Sequence, residues 1–223
     1  MTHPASGRVA VYTEPNAPFQ VDSYPLRAPG PREALVRVSM STICRSDIHS
    51  YQGHRPSPCP GLLGHEIVGR IVALGQELTC DMRGEILAIG DRITWSEFFI
   101  PHGNYFTDVL DLPQKSPGVE KYGHMAVTTA PHHHGGFAEY CYVLPKSWIL
   151  RLPDKMVTLR GIHNYHPRHL VEALDFVFAN KTRYPFSELV DARYPLDQVT
   201  QAMADASSQR VLRAAIVPLR AKP

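Results

Sequence analysis

The stretch from Cys44 to Glu66, CRSDIHSYQGHRPSPCPGLLGHE, sets two thiols, three imidazoles, two carboxylates and three serine hydroxyls between two strand-like runs, Ala34 to Met40 and Glu66 to Leu74. Cys44 as thiolate and His65 through a ring nitrogen are the borderline-soft donors that zinc prefers, while Asp47 and Glu66 can orient such ligands or join them. Ser46 and His49 stand close enough in sequence to Cys44 to carry a proton between a reacting oxygen and solvent. The rest of the chain has to hold these groups in one place.

The surrounding sequence is punctuated throughout. Twenty prolines and 15 glycines predict many short strands joined by turns, and a hydrophobic content of 43% is enough for a real core. Gly7 to Tyr12, Ala34 to Met40, Glu66 to Leu74 and Phe137 to Leu144 read as strands, and Arg210 to Pro218 as a closing one. Cys44 begins a short turn or helical segment, and the proline-broken Tyr51 to Pro60 is a surface loop carrying His54, Arg55 and Cys59. Pro167 can start a helix running to Asn180, with Leu170, Ala173, Leu174, Val177 and Phe178 on one face, and Tyr194 to Ala206 reads as a second. The fold class is mainly β with some α.

Charge and cysteine usage narrow the functional classes. Twenty-three basic and 21 acidic side chains without a single-sign run leave a net charge of +2, which implies neither nucleic acid nor a membrane surface as partner. No apolar run approaches the roughly 20 residues of a membrane helix, and Met1 to Gly7 lacks the apolar segment of a signal peptide, so a cytoplasmic protein is expected. Cys44, Cys59, Cys80 and Cys141 show no paired spacing, and Cys80 and Cys141 are expected as core thiols.

Cys44-x-Ser46-Asp47-x-His49 followed by Gly64-His65-Glu66 resembles the catalytic zinc signature of the medium-chain, zinc-dependent alcohol dehydrogenases. The likeness continues through Ile67-Val68-Gly69, Gly90-Asp91-Arg92-Ile93 and Gly135-Gly136-Phe137-Ala138-Glu139-Tyr140. Leu112-Pro113-Gln114-Lys115, Lys121-Tyr122-Gly123-His124 and Gly161-Ile162-His163-Asn164-Tyr165 resemble most the branch associated with phosphonate catabolism. The resemblance implies a GroES-like β-barrel catalytic domain. It also implies a Rossmann domain after Leu152-Pro153-Asp154, but the chain passes directly into Val157-Thr158-Leu159-Arg160-Gly161, which resembles the returning strand of the catalytic domain. The expected organisation is one domain over 1–223, made of an N-terminal portion (1–156) and a returning C-terminal portion (157–223), with the Rossmann domain deleted.

Two family metal sites are altered on this reading. In the lobe 95–121 the family's four structural-zinc cysteines fall on His102, Tyr105, Asp108 and Ser116, of which only His102 and Asp108 are competent ligands, so a metal-free lobe is expected. The family's third catalytic ligand lies on the chain entering the Rossmann domain. Cys44 and His65 therefore need a third donor from Glu66, the first choice, or from Asp47, Cys59, His132 or His134. The triplet His132-His133-His134 reads more simply as a solvated loop. His163, His166 and His169 read as structural or exposed, with Tyr165 directed toward the opened site.

Arg45 stands where the family usually has glycine. It could clamp a carboxylate or phosphonate, with Arg55 and His54 extending the anion site, or pair with Asp47 or Glu66. No Gly-x-Gly-x-x-Gly follows a strand, so NAD(P) binding is not expected. The expected activity is a zinc-dependent, non-redox conversion (lyase, isomerase, dehydratase or hydrolase) of a small hydroxy or carbonyl substrate. Ser46, His49, Glu66 and Arg45 are its catalytic candidates. The alternatives are an NAD(P)-linked oxidoreductase completed by a partner or an interface-bound cofactor, and a non-catalytic binding protein. A second copy of the chain is the expected protein partner.

Overall fold

The computed structural model describes residues 4–99, 104–152 and 167–218. In chain order the elements are β1 (Ser6–Tyr12), β2 (Gln20–Pro25), β3 (Ala34–Thr42), α1 (Arg45–Tyr51), β4 (Gly61–Leu62), β5 (Glu66–Leu74) and β6 (Arg92–Phe99). There follow α2 (Tyr105–Asp108), β7 (Glu120–Lys121), β8 (Tyr140–Val143), β9 (Ser147–Leu152), α3 (Pro167–Asn180), β10 (Ala192–Tyr194), α4 (Val199–Ser207) and β11 (Ala214–Ile216). The larger sheet runs β10-β11-β3-β5-β6-β7, with β8 also paired to β3 and β9 to β6, and a smaller sheet runs β2-β1-β4. Among the described residues every strand pairing is antiparallel except β10 with β11, as expected for a mainly β, GroES-like fold.

Alternation dictates how the sheet curls. In β5, Ile67, Gly69 and Ile71 are buried while their neighbours are half-buried, so one face meets the core. Ile71 packs with Val36, Ile93, Trp95, Tyr122 and Val143 in the main apolar cluster. A second cluster joins Tyr12, Leu63 and Phe137 to Leu196, Met203 and Ile216, fastening α4 to the strands beside the Cys44 segment. In α3, Leu174 is fully buried against Leu150 and Leu152.

Several expectations shift. The second helix begins at Val199 rather than Tyr194, because Pro195 is extended (ψ 165°) and Tyr194 belongs to β10. The closing strand shortens to Ala214–Ile216, since the Asp191 carboxylate accepts from the Leu212 and Arg213 amides and holds them in a turn. Cys80 is exposed, not a core thiol, while Cys141 is buried as expected. The returning strand at Val157 to Gly161 and residues His102, His163, Tyr165 and His166 lie outside the described residues.

In the lobe, a hydrogen-bonded knot occupies some of the ground that the resemblance assigns to cysteines. Asn104 caps α2 through the Phe106 and Thr107 amides, and Ser116 Oγ lies 2.8 Å from Thr107 Oγ1 and donates to Asn104 Oδ1 at 3.1 Å.

Candidate metal centre

Strand register brings Cys44 and His65 together. Thr42, the last residue of β3, pairs with Glu66, the first of β5, so the two residues beyond β3 and the one before β5 face each other across the sheet end. Cys44 caps α1 in an extended conformation, and the Asp47 carboxylate, in the first turn, accepts from the Cys44 amide at 2.9 Å and from the Gly64 amide at 3.0 Å. Gly64 has φ +86°, and a Cβ there would meet the Phe137 ring at 2.7 Å, so this turn requires glycine. One buried carboxylate thus ties the cysteine segment to the histidine segment.

His65 Nδ1 lies 3.3 Å from Asp47 Oδ1, with both side chains buried. Burial would raise the Asp47 carboxyl, but the His65 charge and the bonds from His65, Cys44 and Gly64 outweigh it and hold it at about 2. Burial would likewise lower the His65 ring, yet Asp47 and then Cys44 raise it to about 10 in the metal-free protein. Asp47 thus stands on the Nδ1 side of the His65 ring, outside the group of donors that converges on Cys44.

One donor atom each from Cys44, His65 and Glu66 lies within 4.8 Å of the others, and this is the metal-competent group of three or more among the described residues. Bonds of about 2.0–2.3 Å place donors about 3.5 Å apart around tetrahedral zinc, so a movement of about 1 Å closes the set. A thiolate, an imidazole and a carboxylate are suitable zinc donors, and the residues fit the metal. Glu66 Oε2 accepts from Thr42 Oγ1 and pairs with Arg213 Nη1 at 3.3 Å. Both contacts fall on one oxygen.

The remaining candidates divide. Ser46 Oγ lies 3.3 Å from His65 Nε2, while His49 is exposed, three residues along the same helix, with its ring 6.1 Å from that of His54. Arg45 is exposed, and its alternative partners are engaged elsewhere, Asp47 by His65 and Glu66 by Arg213. Cys59 is exposed on the loop, and its thiol donates to the Ser57 carbonyl. His132 and His134 contact the Val127 and Ala126 carbonyls at 2.8 and 3.2 Å and do not join the donor group. His133 and His134 are buried rather than solvated, and burial pushes the His133 ring down to about 4.

Sequence reading missed a buried charge network beside the donors. Glu97 in β6 is 4% exposed, with Oε2 3.9 Å from His65 Nε2 and 2.8 Å from Lys121 Nζ. His124, its ring 6.0 Å from that of His65, is kept neutral by burial and by the charges of Lys121 and Arg55, which push its ionisation down to about 3. The one acid inside the run RITWSEFF was the available signal for Glu97.

Residues 30–154 match the family described as alcohol dehydrogenase GroES-like domain, and the chain belongs to that family. It is 37% identical over 105 residues to a 5-exo-hydroxycamphor dehydrogenase of Pseudomonas putida, covering 47% of this chain and 29% of that one. It is 40% identical over 76 residues to a sorbitol dehydrogenase of Halalkalibacterium halodurans, covering 34% of this chain and 20% of the relative. The chain thus spans less than a third of the length of either relative. An alcohol dehydrogenase of Thermotoga maritima shares the fold with a TM-score of 0.83 at 14% identity, over 97% of this chain and 100% of that one. No helix among the described residues is long and apolar enough to cross a membrane.

Proposed function

We propose that this chain holds one zinc ion on Cys44, His65 and Glu66 and uses it for a non-redox conversion of a small hydroxy or carbonyl acid. The carrying observation is the convergence of those three donors with Asp47 set behind His65. Bound there, zinc supplies a Lewis acid for a substrate hydroxyl or carbonyl oxygen. Ser46, beside His65 Nε2, takes or returns the proton of the reacting group, and exposed His49 exchanges it with solvent. Arg45, at the exposed start of α1, offers a bidentate donor to a carboxylate or phosphonate. The arrangement of 1–156 followed by 157–223, with no nucleotide domain between, and the phosphonate-associated branch belong to this reading.

Support for the non-redox assignment is the donor set itself with Ser46 beside His65, an arrangement whose Lewis-acid and proton-transfer chemistry needs no nicotinamide. The relatives' names favour a second reading, an NAD(P)-linked dehydrogenase completed by a partner or an interface-bound cofactor. Nuclear magnetic resonance of a panel of small hydroxy and carbonyl acids, incubated with zinc-loaded protein with and without NAD(P), separates the two. Conversion without nicotinamide supports the proposal. Conversion only with nicotinamide replaces it with the second reading.

A further inference from the structure

A cavity of about 470 Å3 opens where the His124 ring lies 6.0 Å from that of His65, and Arg55, Gln114, Lys121 and His124 contribute its polar lining. They come from separate segments: the loop after α1, a short helical turn at Pro113–Lys115, β7, and the turn after it. Phe98 and Val119 supply apolar wall. The described lining holds two cations and no carboxylate.

Three of these groups are unspent. Gln114 Oε1, Lys121 Nζ and His124 Nε2 are buried without a hydrogen-bond partner. The ammonium of Lys121 forms an ion pair with Glu97 Oε2 at 2.8 Å, and beyond that carboxylate it has no hydrogen-bond partner. Since the Ser57 hydroxyl donates to Ser50, His124 Nδ1 is the donor in its 3.4 Å contact with Ser57, and Nε2 keeps its lone pair. An unpaired buried polar group is costly, and three on one cavity mark a place where a polar ligand completes the bonding.

We propose that this cavity receives the acid group of a small hydroxy acid, with Lys121 and Arg55, rather than the exposed Arg45, holding the anion. Such a ligand reaches from Lys121 toward His65, because Glu97 contacts both residues and His124 lies beside the His65 ring. A carboxylate and a phosphonate share this chemistry. The inference rests on the proposed zinc site for the ligand's reacting end, but not for its anchoring.

Isothermal titration of the zinc-loaded chain with 3-hydroxypropionate, 2-hydroxyethylphosphonate and neutral 1,3-propanediol tests it. At least one acid is expected to bind at least about tenfold more tightly than the diol, and the tighter acid identifies the source. Arg55→Gln is expected to weaken that acid about tenfold, as is the charge-balanced Lys121→Met, Glu97→Gln pair, while Lys121→Arg stays within about threefold. Folding of each variant is checked by its melting midpoint, and the half-buried Arg55 provides the variant least exposed to misfolding. Acids that bind no better than the diol, or affinities unchanged in both charge-removing variants, overturn the assignment. Cys44→Ser separates the claims: loss of metal with acid binding retained leaves the cavity assignment standing, and a wild type that takes up no zinc yet binds the acid refutes only the metal reading.

Discussion

Asp47 Oδ1 lies 3.3 Å from His65 Nδ1, and the same carboxylate accepts from the Cys44 and Gly64 amides, so one buried side chain positions both firm donors of the candidate zinc site. Replacement by asparagine keeps the shape and removes the charge. Asp47→Asn is expected to weaken zinc binding about 10–100-fold, the usual penalty for losing a group behind a ligand, measured by chelator competition.

The same pair makes the metal-free protein sensitive to pH in a stated direction. His65, raised to about 10, contributes stability that is fully present below its ordinary value near 6.5 and is lost as pH rises toward 10. Asp47, lowered to about 2, contributes stability present above about 4 and lost as pH falls toward 2. The chelator-treated wild type is therefore expected to lose melting midpoint between pH 7 and 10 relative to Asp47→Asn, and zinc, which binds neutral imidazole, should flatten the difference. Parallel profiles for the two proteins would contradict this coupling.

Gly64→Ala tests the turn that presents His65. With φ at +86° and the new Cβ 2.7 Å from the Phe137 ring and 3.0 Å from its amide nitrogen, a loss of about 1–3 kcal/mol is expected from urea unfolding. The displaced Gly64 amide should also weaken zinc binding.

The candidate donors were legible because their chemistry is local. Cys44, Asp47 and His65 sit next to strands whose β-branched alternation is plain, and β5 runs over the residues its pattern predicts. Glu97, Lys121 and Arg213 were less visible because nothing near them in sequence explains a charge there. Their partners arrive through the β6–β7 and β3–β11 pairings. Likewise β7 is two residues long, too short for any periodicity, and the burial of His133 and His134 depends on packing that a polar triplet conceals.

Thiol labelling reports the same distinction for the cysteines. Cys59 and Cys80, both exposed, are expected to react quickly with a thiol reagent in the native protein. Cys141 is buried, burial pushes its thiol well above the usual range, and it should react only on unfolding. Cys44 should be reactive in chelator-treated protein and protected by zinc. Equal labelling of Cys44 with and without zinc would argue against its role as a ligand.

Zinc stoichiometry and affinity, measured by mass spectrometry and chelator competition on wild type and Cys44→Ser in parallel, test the central claim most directly. About one zinc per wild-type chain is expected, with an affinity at least about 100-fold weaker in Cys44→Ser. A wild-type chain that takes up no zinc, or a variant that binds it equally well, would contradict a metal centre built on Cys44, His65 and Glu66.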